Sequence, residues 1–151
     1  MPRGTRSIEI NASSDTVFEL IHNYVLRLQW DSMLCEAKLL GGCREAAKDV
    51  RTRCVGNWKC LWLAIEADYL SYEKGKVAAV KMSNKPMFFA DFAATIRHDD
   101  LKDGRSKVTY IYHFDAKPRC LAFLLKPIMK FCLNRKVTHR LAALKRFAEN
   151  C

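Results

Sequence analysis

The stretch Lys107-Val108-Thr109-Tyr110-Ile111-Tyr112-His113-Phe114-Asp115 decides the fold. Its side chains alternate with period two, as in a strand with one buried face. Residues 88–98, Phe88-Phe89-Ala90-Asp91-Phe92-Ala93-Ala94-Thr95-Ile96-Arg97-His98, carry a matching pattern, and Lys102-Asp103-Gly104 lies in the link between the two. A helical pattern follows at once, over residues 119–150. A long antiparallel meander that runs into a long terminal helix must wrap that helix.

Parity sets the register. A two-residue turn at Asp103-Gly104 would place Tyr110 and Tyr112 opposite Arg97 and Thr95. A three-residue loop, 102–104 with Gly104 left-handed, pairs Tyr110 with Ile96, Tyr112 with Ala94 and Phe114 with Phe92. Only the second keeps one face apolar, and this loop length commonly ends in a glycine bulge. At the preceding hairpin, a two-residue Lys74-Gly75 turn pairs Tyr69 with Val80 and Ala67 with Met82.

Outward from there, strands are expected over 34–40, 49–55, 61–72 and 77–83, each ending at Gly, Asn or Pro. Residues 7–12 form a first strand. Ser13, Ser14 and Asp15 open a helix with Val17, Leu20, Ile21 and Tyr24 on one face, and a short helical segment follows over 25–31. The inner face then reads Val50, Thr52, Cys54, Leu61, Leu63, Ile65, Ala67, Tyr69, Val80, Met82, Phe92, Ala94, Ile96, Val108, Tyr110, Tyr112 and Phe114. The outer face carries Arg51, Arg53, Glu66, Asp68, Lys81, Asp91, Arg97, Lys107, His113 and Asp115. An aromatic, almost uncharged inner face suits a container for an apolar molecule better than acid–base chemistry.

The 151 residues suit a single domain, 1–151, half apolar and 28 % charged. No run of about eighteen apolar residues marks a transmembrane helix, and no signal sequence or lipidation motif is visible. Seven cysteines in an odd number, without C-x-x-C, read as reduced thiols of a cytoplasmic protein, mostly small core residues. Metal-ligand spacing, a phosphate loop and a dinucleotide fingerprint are absent, so neither metal nor cofactor is expected. The net charge of +10 is spread along the chain. Solubility explains it most simply and an anionic membrane surface comes second. Nothing resembles a nucleic-acid-binding motif, so nucleic acid is not an expected partner. The sequence does not specify an oligomeric state.

The order of elements, I-x-I-x-A-S at residues 8–13, V-F-E-L-I in the first helix and Trp30-Asp31 after it resemble the START-like superfamily. The similarity is greatest to its polyketide cyclase/dehydrase and lipid-transport branch, also called the Bet v 1-like fold. F-F-A-D-F-A-A-T-I-R before a D-G turn, V-T-Y-I-Y-H-F after it and the helix ending L-A-A-L-K-R-F-A-E extend the resemblance over nearly the whole chain. It implies an α+β helix-grip fold: a curved seven-stranded antiparallel sheet around a long C-terminal helix, two short helices between strands one and two, and a ligand cavity. Such motifs specify fold well and function poorly.

The expected lining is Thr52, Leu63, Ile65, Tyr69, Met82, Phe92, Ile96, Tyr110, Tyr112, Phe114, Val137 and Leu141. The hydroxyls of Tyr69, Tyr110 and Tyr112 would orient a ligand, or simply bond one another or water. In the family the end holding the links at 30–33, 56–60, 84–88 and 116–120 is the cavity mouth. Here it carries Trp30, Trp58, Met87, Phe88 and Phe89, with Leu124 close by, ringed by Lys59, Lys85, Lys117 and Arg119. Such a cluster docks transiently on an anionic membrane, or merely caps the core.

The terminal helix holds a conflict. Leu121, Leu124, Leu125, Ile128 and Cys132 share one helical face, and Leu133, Val137, Leu141, Leu144 and Ala148 nearly the opposite one. One straight helix cannot bury both in the same core. Pro127 offers a kink or break. The second half is then the gripped helix, with Arg135, Lys136, His139, Arg140, Lys145 and Arg146 outward. The first half is a lid over the mouth, or a short helix packed on a neighbouring element or a dimer partner. No catalytic residue is assigned: the histidines lack partners, and Glu66, Asp68, Asp91 and Asp115 point outward. The expected function is binding of a hydrophobic small molecule (lipid, sterol or polyketide-like) as carrier or sensor. The alternative is a polyketide aromatase/cyclase or dehydratase in the same cavity.

Overall fold

A computed structural model of the chain describes residues 2–31, 33–42, 45–56, 63–86 and 88–150. The elements are β1 (Arg3–Ile10), α1 (Ser14–His22), α2 (Tyr24–Trp30), β2 (Leu34–Leu39), β3 (Arg51–Gly56), β4 (Ala64–Glu73), β5 (Val77–Met82), β6 (Phe89–Asp100), β7 (Ser106–Ala116) and α3 (Arg119–Glu149). The strands form one antiparallel sheet in the order β1-β7-β6-β5-β4-β3-β2. This is the helix-grip arrangement of an α+β START fold. It puts the two short helices between the sheet's two edge strands in sequence, and α3 against β1 and β7.

The β6–β7 register is the apolar one: Ile96 faces Tyr110, Ala94 faces Tyr112 and Phe92 faces Phe114. Asp103 and Gly104 both take left-handed backbone in the loop, φ 64° and 73°. The β4–β5 hairpin reaches its expected pairs by another route. Glu73 pairs with Val77, so the loop holds one residue more than the two-residue turn, and a bulge at Leu70 absorbs it before Tyr69 meets Val80 and Ala67 meets Met82. The bulge brings Tyr72 onto the same face as Tyr69, ring centroids 5.5 Å apart. A second bulge at Ala90 lets Phe89 pack inward on Phe92 and Phe114.

Ser13 caps α1 by accepting from the Thr16 amide. Asn23 both ends α1 and caps α2, its side chain accepting from the Val25 and Leu26 amides. The core joins Val17, Leu20, Ile21 and Trp30 to Val108, Tyr112 and Phe114 of the sheet and to Val137, Leu141, Leu144 and Ala148 of α3. Gly4 on β1 lies opposite Tyr112, whose ring occupies the space a Cβ at Gly4 would need.

Three expectations are corrected. The chain does not break at Pro127, which lies inside one continuous helix, so residues 119–132 are the first turns of α3. The conflict of faces is resolved by exposure: Val137, Leu141 and Leu144 are buried, and Leu121, Phe123, Leu124, Ile128 and Phe131 stay in solvent. The carbonyl that Pro127 leaves without a helical donor therefore sits where water reaches it. Arg140 is not outward; it follows Val137 and precedes Leu141 on the inner face and pairs with a buried acid. The cysteines are not mostly core residues, since Cys35, Cys120 and Cys132 are exposed and Cys54 half-buried. Cys120 and Cys132 share the solvent side of α3.

Candidate ligand-binding interior

Thr52, Tyr69, Met82, Ile96, Tyr112, Phe114, Val137 and Leu141 are buried on the inner face or on the helix facing it. Leu63, Ile65, Phe92 and Tyr110 keep part of their surface accessible, as do Cys54 and Val80 on the same face. Buried and partly accessible side chains thus share the inner surface of β3–β7. Tyr112 and Phe114 stack at 6.3 Å, and Phe92 stacks on Tyr112 at 6.2 Å.

The hydroxyls of the three inner tyrosines differ in what they do. Tyr112 donates to Asn134 and Lys130 of α3, so it ties sheet to helix. Tyr69 bonds Tyr24 at 2.9 Å and His22 Nδ1 at 2.8 Å. Burial pushes the Tyr69 and Tyr24 phenols above their ordinary value. Tyr110 is half-buried, and its hydroxyl has no partner among the described residues. It is the inner tyrosine that keeps part of its surface accessible.

The least anticipated feature is a buried ionic group. Asp31, which ends α2, is 2 % exposed. Its Oδ2 lies 3.3 Å from Arg27 Nε and 2.9 Å from Arg140 Nε, and its Oδ1 accepts from the Met33 amide. The Arg140 N–H is not aligned with the oxygen, so that contact is ionic rather than a directed hydrogen bond. Burial raises the Asp31 pKa, but Arg140, Arg27 and the Met33 amide outweigh it and leave the carboxyl below its ordinary value. A carboxylate so held is a poor general base. The guanidinium of Arg27 lies 5.7 Å from the centre of the Tyr24 ring. Nothing in periodicity marks Arg27 or Asp31; their i, i+4 spacing was the available signal.

Beside this group, Phe18, His22, Tyr69, Tyr72 and His98 form an aromatic nest. Phe18 lies 4.4 Å from His22 and 5.1 Å from His98. His22 Nε2 and both ring nitrogens of His98 have no partner among the described residues. Burial lowers the His98 pKa to about 4 against a weak opposing pull from Asp99. Burial, then the neighbouring His98 and Arg27, lowers that of His22 well below its ordinary value. Both rings are neutral at pH 7 and packed away from the accessible face.

At the expected mouth, Phe88 is exposed and Phe89 half-buried. Trp30 is inside, donating from Nε1 to the Leu20 carbonyl at 2.8 Å. Leu124 faces solvent on α3. Trp58, Met87 and the inner-face residue Leu61 lie outside the described residues. An open groove of about 750 Å³ lies on the edge near β3 and β4, lined by Lys48, Asp49, Arg51, Glu66 and Asp68 together with Leu40, Val50, Tyr69 and Leu70. Another, of about 410 Å³, runs between Met33 and Phe131, Cys132, Arg135 and His139 of α3. No set of three or more His, Cys, Asp or Glu among the described residues is placed to hold a metal ion, and no helix among them is long and apolar enough to cross a membrane.

The sequence profile described as polyketide cyclase / dehydrase and lipid transport matches residues 1–149. The chain belongs to this family. Its fold agrees with that of a START superfamily protein from Mycobacterium smegmatis (TM-score 0.80, 12 % identity, 98 % of this chain and 97 % of that one). It agrees equally with the Zhui aromatase/cyclase from Streptomyces sp. R1128 (TM-score 0.84, 11 % identity, 98 % and 93 %). The di-domain ARO/CYC BexL from the BE-7585A biosynthetic pathway matches over 97 % of this chain and 46 % of its own (TM-score 0.77, 12 % identity). At these identities the likeness establishes the fold alone. A search of curated proteins returns no match. Membership of the family implies, in general terms, a hydrophobic small-molecule ligand.

Proposed function

We infer that this protein binds a lipid, sterol or polyketide-like molecule between the inner face of β3–β6, α2 and α3, as a carrier or sensor. The observation that carries this reading is the set of inward side chains that remain accessible: Cys54, Leu63, Ile65, Val80, Phe92 and Tyr110. Packed interiors leave few voids, so accessible surface on inward apolar groups favours a space that a ligand fills. Met82, Ile96, Phe114 and Leu141 form the floor beneath it. Apolar burial supplies affinity, and Tyr110 supplies orientation. The four described cysteines are free, which suits a reducing cytoplasm. Loading and release take place at an anionic membrane surface, through Phe88 and the exposed start of α3.

The alternative is an aromatase/cyclase or dehydratase acting in the same space. Arg27 and Tyr110 are the polar groups that would face its substrate, while Asp31, His22 and His98 are engaged in ion pairs or packing. Native mass spectrometry of gently purified protein, with organic extraction, tests the carrier reading. A stoichiometric apolar molecule is expected. An empty protein that also fails to bind a panel of lipids and aromatic polyketides overturns it.

A further inference from the structure

The net charge is not spread along the chain. Between Ala116 and Ala148 stand nine of the 26 lysines and arginines and none of the sixteen aspartates and glutamates. The rest, seventeen bases against sixteen acids, is almost neutral. The acid-free segment is the link after β7 and all of α3 but its last residue. Three of its cations are matched from outside it, Lys126 by Asp115, Arg140 by Asp31 and Lys145 by Glu149. Arg135 has no acid beside it among the described residues; its guanidinium lies against the Phe131 ring, 5.8 Å from the centre.

Leu121, Leu124, Ile128, Phe131, Arg135 and His139 follow one another at spacings of three and four residues, so they form one stripe along the helix. All six are exposed. The stripe is apolar over its first four members and basic over its last two. Where it changes, a groove of about 410 Å³ opens between Met33 and α3, and Phe131, Cys132, Arg135, Lys136 and His139 line it. Three bases and no acid face that space. An apolar ridge that runs into a basic groove repeats the order of a lipid, acyl chain and then phosphate. A second copy of the chain is a poor cover. A two-fold contact would set these bases against one another or against the apolar half, and neither supplies an anion.

We propose that the groove binds the phosphate of one anionic phospholipid while Leu121, Leu124, Ile128 and Phe131 enter the bilayer beside it. This rests on the reading that loading takes place at an anionic membrane, and it adds a head-group site to that reading. The Arg135 guanidinium matches two phosphate oxygens at once. The Phe131 ring holds that guanidinium at the boundary between the two halves of the stripe.

The test uses the intact chain and two kinds of lipid. Co-sedimentation with vesicles of phosphatidylcholine, alone and with phosphatidylglycerol, is expected to show at least tenfold preference for the anionic ones. Arg135→Gln should lower affinity for them about fivefold. Arg97→Gln removes the same charge from an exposed site on the outer face of the sheet, and should change it by less than about twofold. In isothermal titration, monomeric dihexanoylphosphatidylglycerol is expected to bind with one site that Arg135→Gln weakens and Arg97→Gln does not. Dihexanoylphosphatidylcholine and inorganic phosphate should each bind at least about tenfold more weakly. Inorganic phosphate that binds as tightly as the lipid overturns the head-group site. Equal losses from Arg135→Gln and Arg97→Gln also overturn it, because the total charge then sets the affinity, and leave membrane loading in place. A wild type without preference for anionic vesicles, or one that sediments as a dimer closed over the stripe, overturns both. The internal ligand is judged separately, by extraction.

Discussion

Arg140, two-thirds of the way along α3, reaches Asp31 at the end of α2, Nε to Oδ2 2.9 Å. The contact joins the gripped helix to the segment that enters the sheet. Asp31 also takes Arg27 and the Met33 amide, so its carboxylate is the hub. Asp31→Ala leaves two guanidiniums uncompensated and is expected to destabilise the protein by about 3–5 kcal/mol. Arg140→Met is expected to lose only about 1 kcal/mol, because Arg27 still neutralises Asp31 and the Arg140 side chain is 22 % exposed. Urea unfolding of both variants checks this, and a Asp31→Ala effect no larger than that of Arg140→Met contradicts the hub. The Asp31 pKa is depressed, so its contribution is present above about pH 4 and is lost as pH falls through the lower folded value.

The histidine nest gives a second, separate acid response. Its folded pKa values lie below the ordinary 6.5, His98 at about 4. In that interval the unfolded chain binds protons that the native rings refuse, so stability falls as pH falls from about 6.5 towards 4. A loss of a few kcal/mol is expected for the wild type, from the size of the His98 shift. His98→Phe keeps the ring against Phe18 and removes the titration. It should flatten the stability profile between pH 6.5 and 4; an unchanged slope would show that other groups set it.

Gly4 and Tyr112 test the edge of the sheet. A Cβ at residue 4 collides with the Tyr112 ring, whose hydroxyl anchors α3 through Asn134. Gly4→Ala is expected to cost about 1–3 kcal/mol by overpacking. Tyr112→Phe keeps the ring and loses the anchor, for about 1 kcal/mol. Combining Gly4→Ala with Tyr112→Ala should relieve the clash, so the double variant is less destabilised than the sum of the two. Strict additivity would mean that the ring does not meet residue 4.

How far the sequence could be read follows from where its charges sit. Alternation fixed the partners of Tyr110, Tyr112 and Phe114, because a one-residue slip would turn every aromatic ring outward. It missed the Leu70 bulge, since a long loop plus a bulge yields the same Tyr69–Val80 pair as a short loop without one. Tyr72 was lost with it. The heart of the candidate site was illegible for a different reason. Arg27, Asp31 and Arg140 are charged, and a pattern that sorts polar from apolar assigns all three to solvent. Arg140 lies on the same helical face as Val137, Leu141 and Leu144, and that position carried more information than its charge. Ion pairing between elements far apart in sequence has no local signature.

The start of α3 gives the last prediction. Phe123, Leu124, Ile128 and Phe131 are 72, 54, 60 and 63 % exposed. They continue along the helix into Arg135, whose guanidinium lies 5.8 Å from the Phe131 ring centre. Solvent gains nothing from so much apolar surface on consecutive turns, and neighbouring cations favour an anionic bilayer as its cover. Ile128→Ser with Phe131→Ser removes two large groups that touch no core, so urea stability should stay within about 0.5 kcal/mol. Affinity for vesicles of phosphatidylcholine with phosphatidylglycerol should fall about tenfold or more, given roughly 25 cal/mol for each Å² of apolar area withdrawn from water. Arg135→Gln should weaken binding to those vesicles and leave neutral vesicles unaffected. Were the stripe instead the seam between two copies of the chain, the double substitution would dissociate a dimer and lower stability in a concentration-dependent way. Sedimentation of the wild type and the double variant, run beside the vesicle assay, separates the two: a monomer that loses vesicle binding supports the membrane, and a dimer that becomes monomeric refutes it.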